Sequence, residues 1–127
     1  MNADEMRLKA LTERIIGCAF AVGNSLSVGF VEKVYENALV HELRKPGVNV
    51  AQQRGISIYY DGVVVGEYTA DLLVEGEVLA EIKAVKAFDD VHNAQCLNYL
   101  KATGLHLCLL INFGKPRVEI KRIVRGL

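Results

Sequence analysis

Apolar residues in the first part of the chain recur at three- and four-residue steps. Leu8, Leu11, Ile15, Cys18, Ala19 and Val22 follow this spacing, which predicts a helix over residues 4 to about 25. The stretch Gly23-Asn24-Ser25-Leu26-Ser27-Val28-Gly29 reads as a break. A second helix follows over residues 31–44, with Val31, Val34, Tyr35, Ala38, Leu39 and Leu43 on its apolar face and Lys45-Pro46-Gly47 at its end. The period then changes to two. Short strands are predicted over 48–53 and 56–60, and Asp61-Gly62 is a strong hairpin signal. Residues 63–74 form a longer strand with a bulge near Gly66, and 77–85 the next. Residues 89–103 are helical, with Asp89 or Asp90 as N-cap and Gly104 as the stop. The continuous apolar run 105–111 fits a strand buried on both faces, and 118–124 alternates as an edge or second layer would. The order α-α-β-β-β-β-α-β-β describes a mixed sheet flanked by helices, an α/β architecture with one core.

A length of 127 residues fits one domain, and a hydrophobic fraction of 51% is enough for its core. No apolar run approaches the roughly 20 residues that span a bilayer. Glu5, Arg7, Lys9, Glu13 and Arg14 precede the apolar stretch 15–22, which reads as a buried helix face, not a signal peptide. The expected setting is cytoplasmic, with no membrane partner. Cys18, Cys96 and Cys108 are odd in number and far apart, as buried hydrophobes are, and no Cys/His pair has zinc spacing. A net charge of zero counts against strong non-specific nucleic-acid binding, although Lys115, Arg117, Lys121, Arg122 and Arg125 make the C-terminal run basic.

The chemistry concentrates between Asp71 and Lys83. Glu81 and Lys83 are two apart on a strand, so both leave one face while Ile82 points into the core. A two-residue turn at Glu75-Gly76 would set Asp71 opposite Ala80 and put the two acids on different faces. A three-residue loop or a bulge would set Asp71 beside Glu81, and Gly76 supplies the positive φ such a loop needs. Two carboxylates so placed can grip one Mg²⁺, and an adjacent ammonium can assist attack on a phosphate. A solvent-facing ion pair on a strand is the plainer reading of the same residues. Glu32 and Tyr35 share a face at the start of the second helix, where an acidic residue is also favoured by the dipole alone. Gln95 and Tyr99 sit one above the other in the third helix, within reach of a phosphate or the lysine, or as ordinary boundary residues.

Taken together, Gly29-x-x-Glu32-x-x-Tyr35, Asp71, Glu81-Ile82-Lys83, Gln95-x-x-x-Tyr99 and Leu109-Leu110-Ile111-Asn112-Phe113-Gly114 resemble the GxxExxY protein family of the PD-(D/E)XK nuclease superfamily. The resemblance runs from about Glu13 to Val124. It implies a restriction-endonuclease-like core, with Asp71 and Glu81 as metal-binding acids, Lys83 as catalytic lysine and Glu32 as a helical acid near the metal. Gln95 and Tyr99 match the Gln-x-x-x-Tyr element of the RecB-like branch. His92 falls where the family often has histidine and is assigned no role. Gln53 departs from the pattern, since members often carry glutamate there, and Thr69-Ala70 stands where the superfamily's proline would be.

The first functional expectation is a Mg²⁺- or Mn²⁺-dependent nuclease acting on DNA or RNA. It requires Asp71, Glu81 and Lys83 to converge in one cleft, with Glu32 and Gln95 on its rim. The alternative is a non-catalytic module of nuclease-like fold that binds nucleic acid or protein through the basic C-terminal strand. A homo-oligomer, such as a homodimer, is compatible with either, because the apolar content leaves room for an exposed patch. The sequence identifies no protein partner.

Overall fold

Residues 2–127 are described by a computed structural model. Helices α1 (Ala3–Leu26) and α2 (Glu32–Arg44) precede three strands, β1 (Val50–Tyr60), β2 (Val63–Val74) and β3 (Val78–Lys83). Helix α3 (Asp90–Thr103) then crosses over to β4 (Leu107–Asn112), and β5 (Glu119–Val124) completes the sheet. The strands lie side by side in sequence order, with β3 and β4 parallel and the other neighbours antiparallel. The parallel pair is the one joined by a helix, as such a crossover requires. This is the expected mixed sheet flanked by helices.

Strand ends shift by one or two residues from the sequence reading, and two differences are larger. The segments expected at 48–53 and 56–60 are one strand, so three strands and not four precede α3. Gln53 adopts φ 52° at their junction, which twists the strand without ending it. Gly23 belongs to α1 and not to the break, and any Cβ there would collide with the Val118 side chain. Helix α3 begins and ends as expected. Asp89 accepts from the N–H groups of Val91 and His92, the His92 ring accepts from the Asp89 N–H, and Gly104 closes the helix at φ 74°.

The core has two layers, one on each face of the sheet. Helices α1 and α2 cover Leu72, Ala80, Ile82, Leu109 and Ile111, whereas α3 covers Ala70, Leu79, Cys108 and Leu110. All six residues of β4 are buried, which explains its unbroken apolar run. Cys96 and Cys108 are buried and Cys18 half-buried, all as free thiols.

The β1–β2 hairpin outruns the sheet. Strand β2 pairs with β3 only at Leu72, Leu73 and Val74, yet pairs with β1 along nearly its whole length. Residues beyond Asp71 therefore form a two-stranded arm, with a register shift between Ile58 and Tyr59. At Gln53 and Asp71 the hairpin also changes sides. Leu72 packs with the α1/α2 layer, while Ala70 and Ile56, beyond the twist, pack with the α3 layer.

Candidate active site

Pairing of Val74 with Val78 leaves Glu75-Gly76-Glu77 as a three-residue loop, with Glu75 and Gly76 at φ 52° and 66°. The odd-length turn is thus present, and the register Leu72–Ala80 carries Asp71 opposite Glu81. The backbone ladder stops there, and side chains take its place. The Asp71 N–H donates to Glu81 Oε1 at 2.9 Å, and Asp71 Oδ2 accepts from the Ile82 N–H at 2.8 Å. The two acids hold open a fork between β2 and β3.

Lys83 lies beside this fork, its Nζ 4.0 Å from Glu81 Oε2 and donating to Gln95 Oε1 at 3.3 Å. Glu32 meets the end of β3 from the other helix, accepting from the Ala84 N–H at 3.1 Å. Tyr35 explains why the Gly29–Tyr35 spacing works. Its hydroxyl donates to Ser27 O at 2.6 Å and accepts from the Phe30 N–H at 3.1 Å, while its ring stacks on Phe113 at 4.7 Å. Tyr35 thereby staples the α1–α2 loop and aims Glu32 at β3. The Asn112-Phe113-Gly114 run clamps the same place from behind. Buried Asn112 exchanges hydrogen bonds with the Val85 N–H and C=O at 3.0 and 2.9 Å, and a Cβ at Gly114 would strike the Val85 backbone.

One further acid was missed by the sequence reading. Glu36, one helical turn after Glu32, is 3% exposed and binds Lys33 Nζ at 2.9 Å. The Gln53 amide bridges Glu36 Oε1 at 2.9 Å and Asp71 Oδ1 at 3.3 Å, so the residue that departs from the family pattern links two of the acids. The signal for Glu36 was available, because it interrupts the buried stripe of Leu39, Val40 and Leu43.

Crowding of carboxylates out of water has an electrostatic cost. Burial, and next the charge of Asp71, push the Glu81 carboxyl up to about 7. Burial also raises Asp71, with Glu36 adding to the rise and the hydrogen bond from Ile82 opposing it.

The structure refines two expectations. Tyr99 does line one cavity with Lys83 and Gln95, but its hydroxyl is committed to the backbone. It is 1% exposed, and its hydroxyl donates to Thr69 O at 3.0 Å, tying α3 to β2 just before Asp71. The single cleft is also divided. Asp71, Glu32, Glu36 and Gln53 line a cavity of about 710 Å³ on the α2 side, whereas Lys83, Gln95 and Tyr99 line one of about 480 Å³ on the α3 side. Glu81 stands between them, in contact with both Asp71 and Lys83. The basic run lies apart, with Lys121 and Arg122 exposed on edge strand β5.

Among the described residues, no three His, Cys, Asp or Glu side chains gather closely enough to enclose a metal ion. Magnesium does not need such a cage, since it is commonly held by one or two carboxylates with waters filling the rest. Asp71 and Glu81 are hard oxygen donors, adjacent, and crowded with like charge that a divalent cation would offset. The donor set therefore fits such an ion.

The fold is shared with the crystal structure of SSO0001, at a TM-score of 0.58 and 19% identity over 75% of this chain and 50% of that one. An alkaline exonuclease (LHK-Exo) from Laribacter hongkongensis is more distant, at a TM-score of 0.45 and 15% identity over 74% and 56% of the two chains. The chain spans about half the length of these solved structures. No curated protein matches it. The model of the PD-(D/E)XK nuclease superfamily matches residues 9–123, and the chain belongs to that superfamily. Divalent metal ions are the general cofactors of its nucleases. No helix among the described residues is long and apolar enough to cross a membrane.

Proposed function

We propose that this chain is a Mg²⁺- or Mn²⁺-dependent nuclease that hydrolyses phosphodiester bonds in DNA or RNA, as a GxxExxY protein of the RecB-like branch. The observation that carries the reading is Asp71 facing Glu81 at the fork, with Lys83 two residues further along β3. Asp71 and Glu81 would hold the cation, which supplies an acidified water and positive charge beside the phosphate. Lys83 contributes a fixed ammonium next to Glu81, able to offset charge that grows on the phosphate. Gln95 orients that ammonium, and Glu32 fixes the Ala84 backbone just after it. Glu36 and Gln53 position Asp71 from the α2 side. Tyr99 acts through its tie to Thr69, keeping β2 in place ahead of Asp71.

The test is a cleavage screen over single- and double-stranded DNA and RNA with Mn²⁺ and with EDTA. Metal-dependent cutting that disappears in a folded Glu81→Gln variant supports the reading. Cutting that survives both EDTA and the substitution rejects it.

A non-catalytic nucleic-acid- or protein-binding module is the second reading. It is favoured by the Gln53 bridge, which occupies oxygens of Glu36 and Asp71 with protein donors. It expects no heat of Mg²⁺ or Mn²⁺ binding in calorimetry, whereas the nuclease reading expects uptake that Asp71→Ala removes.

A further inference from the structure

The arm beyond Asp71 exposes apolar and aromatic side chains that the fork does not use. Tyr59 is 66% exposed, Tyr68 43%, and Tyr60, Val63, Val64 and Val65 lie open beside them. Two cavities run along the seam between this arm and α3. One, of about 480 Å³, starts at Lys83 and Gln95 and passes Tyr68 and Asn98. The other, of about 380 Å³, shares Tyr68 and Asn98 and continues to Tyr59 and Lys101. Together they make a groove leading from the fork outward along the arm. The Tyr68 ring leans on Tyr99 at 5.8 Å and 59°, which stiffens it as a shelf on the groove wall.

We infer that this groove holds one unpaired nucleic-acid strand and leads it to Lys83, with bases stacked on Tyr68 and Tyr59; the inference rests on the nuclease reading of the fork. Two features point to a single strand over a duplex. The only lysines lining the groove are Lys83 and Lys101, and the whole chain has zero net charge. Binding to a duplex rests mainly on many cation–phosphate contacts, which this surface does not offer. Stacking on aromatic rings supplies affinity without charge, and it requires base faces that pairing would hide. The exposed Asn98 amide offers polar contact to a base edge, and Lys101 a phosphate contact at the far end.

Fluorescence anisotropy in EDTA tests this, using dye-labelled oligothymidylate and oligouridylate of about 12 nucleotides and a duplex of the same length. One or both single strands should bind at least about tenfold more tightly than the duplex, with a shallow salt slope of about −1.4 for two phosphate contacts. Tyr59→Ala and Tyr68→Ala should each weaken binding roughly 5- to 100-fold, as loss of one stacked base does. Tyr59→Phe should bind as the wild type does. Tyr59 is largely in solvent, so its truncation leaves the fold intact. Equal or tighter duplex binding, or an unaffected Tyr59→Ala variant, overturns the inference. So does light scattering that shows the arm occupied by a second copy and released by Tyr59→Ala. Tyrosine-dependent strand binding without cleavage in Mn²⁺ would leave the groove standing and remove the nuclease reading. Cleavage with tyrosine-independent binding would do the reverse.

Discussion

Strand β4 and the outer half of the β1–β2 hairpin are built from similar residues and use them in opposite ways. β4 is a run of Leu, Cys, Ile and Asn with every residue buried. The arm carries Val63, Val64, Val65, Tyr59 and Tyr60, and all five are exposed. Apolar character alone therefore does not say where a strand lies. Parallel pairing with β3 and helices on both faces place β4 in the interior, whereas the arm has left the sheet and finds cover only from α3. The acids sit at the border between these regimes, where backbone pairing ends and carboxylates replace it.

Substitutions should separate the two regions. Leu109→Ala, at a fully buried position of β4, should cost about 2–5 kcal/mol in urea unfolding. At the border, Lys83→Met should slow metal-dependent cleavage by on the order of 10²–10³ while leaving the melting temperature close to that of the wild type. A variant that cuts at the parent rate would remove Lys83 from the chemistry. The raised carboxyl of Glu81 fixes the sign of a pH effect. The folded protein holds its proton up to about 7, above the ordinary value of 4.5, so this stabilisation is full below 4.5 and is lost as pH rises through 7. Asp71 shifts the same way. Glu119, held low by Lys115, acts oppositely but only below its own ordinary value, outside that window. In EDTA, the Glu81 contribution should fall by roughly 3 kcal/mol between pH 4.5 and pH 8, and Glu81→Gln should flatten the profile. Higher stability at pH 8 than at pH 5 in the metal-free wild type would contradict this. The smallest effect belongs to the arm, where Val64→Thr should change unfolding free energy by no more than about 0.5 kcal/mol.

Periodicity was enough to find the three helices and, apart from one strand read as two, the order of the elements, because buried faces repeat at 3.6 or 2 residues. Parity was enough to find the loop at Gly76, since an even turn would have separated Asp71 from Glu81. The fusion of 48–53 with 56–60 was not legible, because it depends on Gln53 holding a left-handed φ that glutamine does not advertise. The same residue hides the change of side along the hairpin, which no two-residue period can record. Glu36 was legible in principle as a charge within an apolar stripe, but only its contacts with Lys33, Gln52 and Gln53 explain how it is tolerated. Tyr99 shares a cavity with Lys83 and Gln95, as its helix face suggests, but its bond to Thr69 was not legible, because sequence spacing does not say which carbonyl lies opposite.

The reversal of the hairpin at Gln53 and Asp71 has a mechanical consequence. One ribbon serves as lining for both hydrophobic compartments, passing between them at the point where the carboxylates meet. Whatever occupies that crossing also fastens the two compartments together, so a tenant there should slow amide exchange in α2 and α3 alike.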